Sequence, residues 1–115
     1  MIEKEKLHSA LRQMGKKGLK PQYRDRWTPE RPTTGYCYVV TDVIFHYLAP
    51  EGSKPYVVRM NGDTHYYLKL PNGEIVDDTS DQYDEPVPYE KGKPYPFPKK
   101  ISPRGKKLAE LLGLI

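Results

Sequence analysis

The sequence predicts an α+β fold: an N-terminal helix, a central helix with a cysteine at its start, a small antiparallel sheet and a short C-terminal helix. Three observations lead there. Apolar residues recur at helical spacing in two segments, Leu7, Ala10, Leu11 and Met14, then Val40, Val43, Ile44, Tyr47 and Leu48. Between Tyr56 and Asp78 the pattern changes to short runs of β-branched and aromatic residues, broken by Asn61-Gly62-Asp63 and Pro71-Asn72-Gly73. Near the end, Ser102-Pro103 opens an apolar stretch that Gly113 closes.

Composition bounds what such a chain can be. At 115 residues it is long enough for one modest core and too short for two, so residues 1–115 are expected to form one domain. Mean hydropathy is low at -0.80 and 30% of residues are charged, but ten Tyr, one Trp and two Phe supply aromatic surface to bury. One cysteine allows no internal disulfide, and Met1-Ile2-Glu3-Lys4-Glu5-Lys6 holds no apolar run of signal-peptide length. A cytoplasmic protein without a membrane span is expected.

The net charge of +4 gathers in Lys16-Lys17-Gly18-Leu19-Lys20 and between Lys91 and Lys100. No helix-turn-helix, finger or RNA-recognition pattern accompanies these clusters, so they read as solvated surface and no nucleic-acid partner is expected. One cysteine and three scattered histidines lack zinc-site spacing, so neither a metal nor an organic cofactor is expected.

In chain order, the first helix should run from about Glu3 to Lys16 and end near Gly18, with His8 beside its apolar face. Pro21 to Gly35 carries Pro29, Pro32 and Thr33-Thr34-Gly35, the marks of an irregular loop. The central helix runs from Cys37 to Leu48 and stops at Ala49-Pro50-Glu51-Gly52. Strands follow at Tyr56 to Met60, Thr64 to Leu70 and Glu74 to Asp78. The segment 84–100, with five prolines, cannot enter a central strand and should run extended over the surface.

Turn chemistry fixes the register of the second hairpin. A two-residue Asn72-Gly73 loop would make Pro71 a paired flanking residue, and proline has no N–H for that pair. A three-residue loop, with Gly73 in the left-handed position, pairs Leu70 with Glu74 and Tyr67 with Asp77. His65 and Asp77 then become diagonal neighbours on one face; the two-residue loop would put Asp78 there instead. Tyr66, Leu68, Leu70 and Ile75 are expected to form a second apolar surface opposite.

The candidate site follows from that register. Cys37 at a helix start meets unpaired backbone N–H groups and the positive end of the helix dipole, surroundings that suit a thiol nucleophile. His65 would serve as general base and Asp77 would orient it, which is the logic of thiol acyl transfer. Each residue also has a plain structural reading: a small buried cysteine, a hydrogen-bonded core histidine, an aspartate at a turn. His46, nine residues along the helix from Cys37, should point to the opposite side at about 100° per residue.

Trp27-Thr28-Pro29 through Pro32, Gly35-Tyr36-Cys37, Val58-Arg59, Gly62, Thr64-His65-Tyr66 and Asp77-Asp78-Thr79 through Gln82-Tyr83 together resemble the motif series of the YunG-like family of small bacterial and phage proteins. The series covers residues 27 to 83. It is also similar to a minimal papain and transglutaminase core, where a Gly-x-Cys helix start precedes a His-aromatic strand and an Asp-x-Thr strand end. The resemblance implies a papain/transglutaminase-like domain and a cysteine hydrolase or acyltransferase with Cys37, His65 and Asp77 as its triad.

Papain relatives place a glutamine shortly before the cysteine, and Pro29 to Thr34 has none. The oxyanion donor therefore stays open among the backbone N–H of Cys37, the indole of Trp27 and the amides of Gln22 and Gln82. Trp27 reads equally as core, and Tyr36 and Tyr38 either narrow the site or cover the core. The expected function is attack on an amide bond of a protein, peptide or small molecule, of protease, peptidase, deamidase or transglutaminase type. The alternative is a non-catalytic protein- or ligand-binding module on the same fold, such as a bacterial or phage regulator, which would tolerate Cys37→Ser.

Overall fold

The structure is a computed structural model describing residues 1–115. Helix α1, Lys4–Met14, starts where the Glu3 carboxylate accepts from the N–H groups of Glu5 and Lys6. Its expected stripe is buried, with Leu7 and Leu11 almost without exposure, each contributing about 1.5–3 kcal/mol. The helix stops at Met14 rather than Lys16 because Gly15, at φ 59°, turns the chain into a 3-10 turn at Lys16–Gly18. The loop that follows contains a single helical turn, α2, Pro21–Arg24.

Helix α3, Cys37–Val43, begins at the cysteine as expected. Its continuation, Ile44–Leu48, widens into a π-helical turn. Val39, Val40, Val43 and Ile44 are buried in the principal core together with Leu11 of α1 and, from near the C-terminus, Leu108.

The sheet is antiparallel in the order β3-β2-β1-β4, with β1 Lys54–Met60, β2 Asp63–Lys69, β3 Ile75–Val76 and β4 Lys93–Pro94. The first hairpin turns on two residues, Asn61 and Gly62, both at positive φ, and pairs Met60 with Asp63. It is one residue shorter than the Asn61-Gly62-Asp63 turn expected, because the two left-handed residues match the strand twist unaided. The second hairpin keeps its three-residue loop: Leu70 N–H donates to Glu74 O at 2.8 Å, Gly73 lies at φ 89°, and Leu68 faces Val76.

Two expectations about this hairpin are corrected. Strand β3 spans Ile75–Val76 only, because Asp77 leaves the ladder to bond His65 and Thr79. Ile75 also stands on the His65 face, packed against the cluster of Val58, Tyr67 and Val87, since in this register it lies opposite Lys69. Leu68 and Val76 instead pack into the principal core.

The proline-rich segment runs along the sheet and contributes its fourth strand. Pro94 pairs with Tyr56 at the sheet edge, where the missing N–H costs nothing, and Val87 and Phe97 are buried beneath the segment. Helix α4, Pro103–Leu111, has Ser102 as N-cap, its Oγ accepting from Gly105 N–H at 3.0 Å. The Asp42 carboxylate accepts from Ser102 N–H at 2.9 Å and ties α4 to α3.

Candidate functional site

Helix α3 lies along the open edge of β2, beyond the short β3. On that edge the carbonyls of alternate residues point outward. Thr41 Oγ1 donates to Tyr66 O at 3.2 Å, and one turn earlier the Cys37 thiol donates weakly to Thr64 O at 3.9 Å. Two side chains at helical spacing thus take the place of a neighbouring strand and hold Cys37 beside His65.

His65 has no solvent exposure, and the Asp77 side chain is 4% exposed. Nε2 of the imidazole donates to Asp77 Oδ2 at 2.7 Å. The same oxygen accepts from Tyr89 Oη at 2.7 Å, and Oδ1 accepts from the backbone N–H and hydroxyl of Thr79 at 3.3 and 3.4 Å. The Tyr83 hydroxyl lies 3.2 Å from Nδ1, on the other side of the ring. Burial disfavours the imidazolium, but the hydrogen bond to Asp77, the neighbouring Cys37 and the Asp77 charge together outweigh it and raise the His65 pKa to about 9. Burial also raises the Tyr83 and Tyr89 phenols, with Cys37 and Asp77 adding to the first and Asp77 to the second, so both hydroxyls stay protonated.

Cys37, 8% exposed, opens onto a cleft of about 560 Å³. Tyr38, Thr64, Tyr66, Gln82 and Tyr83 line it with Cys37, as do Lys20, Arg26, Arg31 and Arg104. No side chain caps the first turn of α3, and Val40 N–H is the first to bond back, to Tyr36 O. The N–H of Cys37 is therefore one of the unpaired donors of the helix start. No helix is long and apolar enough to cross a membrane, and no group of three or more His, Cys, Asp or Glu side chains is arranged to hold a metal ion.

A family model described as YunG protein matches residues 3–112. The chain belongs to the YunG family. Comparisons with curated proteins and with solved structures found no match.

In this YunG-family chain the three residues singled out for acyl transfer converge, and the accompanying ones divide. Gln82 lines the cleft, its Oε1 accepting from Gly35 N–H and its Nε2 donating to Thr79 O. Trp27 is buried and gives its indole N–H to Pro32 O at 2.9 Å, which leaves nothing for an oxyanion. Tyr36 is fully buried and donates to Gly15 O, its phenol pushed up to about 12 by burial, so it packs the core and does not touch the cleft. Gln22 is exposed on α2 and is not part of the lining.

Tyr83 and Tyr89 are the site residues that sequence reasoning missed. Tyr83 closes the motif series as part of Gln82-Tyr83 but was given no role, and Tyr89 lies in the proline-rich segment, where no periodicity marks a face. His8 is likewise structural rather than marginal: Nε2 lies 2.8 Å from Asp81 Oδ2, and Thr33 Oγ1 donates to the other oxygen at 2.6 Å. His46 lies 3.2 Å from Asp42 Oδ1, too poorly aligned for a hydrogen bond, and takes no part in the cleft.

Proposed function

We propose that this cleft is a thiol acyl-transfer site and that the chain is a cysteine-dependent hydrolase or acyltransferase acting on an amide bond, a minimal papain/transglutaminase-like core. The observation that carries the reading is the 2.7 Å bond between His65 Nε2 and Asp77 Oδ2, which turns Nδ1 toward the Tyr83 hydroxyl at the cleft. A lone free cysteine that must stay reduced suits the cytoplasm.

The reaction follows from these positions. At neutral pH His65 already carries its second proton, and this imidazolium, held through Nε2–H by Asp77, favours the thiolate of Cys37. The sulfur attacks the amide carbonyl carbon, and the N–H of Cys37 receives the developing oxyanion. The C–N bond breaks as the imidazolium proton moves to the leaving nitrogen. His65 has no surface in the cleft, so the Tyr83 hydroxyl, which borders both the cleft and Nδ1, passes that proton across. Water or an amine then attacks the thioester carbonyl, its proton returns to His65 by the same route, and the C–S bond breaks to release the acid or new amide and restore the Cys37 thiolate beside the imidazolium.

The test is a screen of fluorogenic peptide amides against the wild type and Cys37→Ala. Release of the amine by the wild type, reduced by about 10³-fold or more in the variant, is the expected result. Release that survives Cys37→Ala overturns the assignment.

The complete burial of His65 is the one observation favouring a non-catalytic binding module on the same fold. In that case Cys37→Ser binds as the wild type does and nothing in the screen is turned over.

A further inference from the structure

Sorting the charges of the cleft by partner shows an imbalance. Arg26 Nη1 lies 2.8 Å from Asp63, the only acid in the lining, and Arg31 Nη2 lies 2.7 Å from Asp84, so both guanidiniums are compensated. The Lys20 ammonium is paired with neither a carboxylate nor another acceptor, its residue being engaged only through the backbone carbonyl, which accepts from Tyr23 N–H. Arg104 donates Nη1 to Gly18 O at 3.0 Å and faces no carboxylate. Because Gly18 and Lys20 are two residues apart, that bond brings both uncompensated cations to one wall. Both cations line the same cleft as Tyr38 and Cys37. A concave site lined by one sign of charge focuses its field and concentrates ligands of the other sign.

We infer that the cleft takes an anionic amide, one carrying a carboxylate near the carbonyl that Cys37 attacks, and that Lys20 and Arg104 bind this carboxylate. The inference rests on the acyl-transfer reading for the reaction and on the charge imbalance for the substrate class. With Nη1 on Gly18, the remaining guanidinium N–H groups of Arg104 are donors for a carboxylate oxygen, and Lys20 supplies a mobile point charge beside them. The carboxylate belongs either to a chain terminus or to an acidic side chain, and both present the same group to this wall.

Three alkylating probes separate these sources on the full chain. N-iodoacetyl-glycine carries a terminal carboxylate, the α-amide of N-iodoacetyl-glutamate carries a side-chain carboxylate, and N-iodoacetyl-glycinamide is neutral. In each the Cys37 sulfur forms a bond to carbon as iodide leaves. At low salt at least one anionic probe is expected to react on the order of tenfold faster than the neutral one, and the faster of the two names the source. The preference should shrink with added salt and disappear in Lys20→Gln/Arg104→Gln. Lys20→Gln alone, which removes no contact, should lower it severalfold, and Arg104→Lys should retain part of it.

Equal rates for all three probes, or a preference that survives the double variant, overturn the inference. The neutral probe tested on His65→Ala reports on the triad alone, so failure of the acyl-transfer reading appears as an unchanged neutral rate while the anionic-to-neutral ratio still reads the wall.

Discussion

Asp77 Oδ2 accepts hydrogen bonds from His65 Nε2 and Tyr89 Oη at the same distance, 2.7 Å, so a strand residue and a residue of the proline-rich segment meet on one oxygen. The sheet sets the first contact through hairpin register. The second arrives only when the segment 84–100 folds back over the sheet. The hydrogen bonding of Asp77 is therefore complete only with that segment in place.

Replacing Tyr89 by Phe removes one of the four donors to Asp77 while keeping the ring against Tyr67. A loss of about 1–2 kcal/mol in urea denaturation is expected. Alkylation of Cys37 should slow less than it does in Asp77→Ala, because the bond to His65 persists.

The pH dependence of stability follows from His65. Its folded pKa, about 9, lies above the ordinary 6.5, so the folded state holds the proton more tightly than the unfolded chain. The stabilisation is complete below pH 6.5 and is lost as pH rises through 9. The shift corresponds to about 3 kcal/mol. Denaturation midpoints should fall across that window in the wild type, and His65→Gln should remove that part of the slope.

Tyr83→Phe keeps the edge-on contact with the His65 ring but removes the hydroxyl beside Nδ1. If that hydroxyl carries the proton to the leaving nitrogen, single alkylation of Cys37 should change less than twofold, while turnover in the amide screen falls by about 10²-fold or more. Equal losses in both would assign Tyr83 to positioning His65.

Gly92 tests the closure of the proline-rich segment. A Cβ there would run into the hydroxyl end of Tyr67, a fully buried ring whose Oη donates to Tyr89 O. Gly92→Ala should cost about 1–3 kcal/mol and raise protease sensitivity between residues 84 and 100.

The parts of this site that were legible in the sequence are those set by local chemistry. Pro71 cannot donate in a ladder and Gly73 accepts a left-handed turn, and these two residues suffice to bring Asp77, rather than Asp78, to His65. The apolar spacing of α1 and α3 and the Ser102 cap likewise act within a few residues. What was not legible depends on distant contacts. Tyr83 and Tyr89 reach His65 and Asp77 because Val87 packs beside Val58 and Tyr67, which no spacing along the chain encodes. Trp27 finds Pro32 O, and Tyr36 finds Gly15 O, only once the loop has closed on α1. Ile75 differs: the register already placed it on the His65 face, and the apolar pattern alone misassigned it.

The most direct measurement is the rate of iodoacetamide alkylation at Cys37 across pH 5 to 10, compared among the wild type, His65→Ala and Asp77→Ala. The account predicts rapid alkylation at neutral pH, slowed by about tenfold or more in His65→Ala and by less in Asp77→Ala. A His65→Ala rate profile that coincides with the wild type would contradict it and leave the cleft as a binding surface.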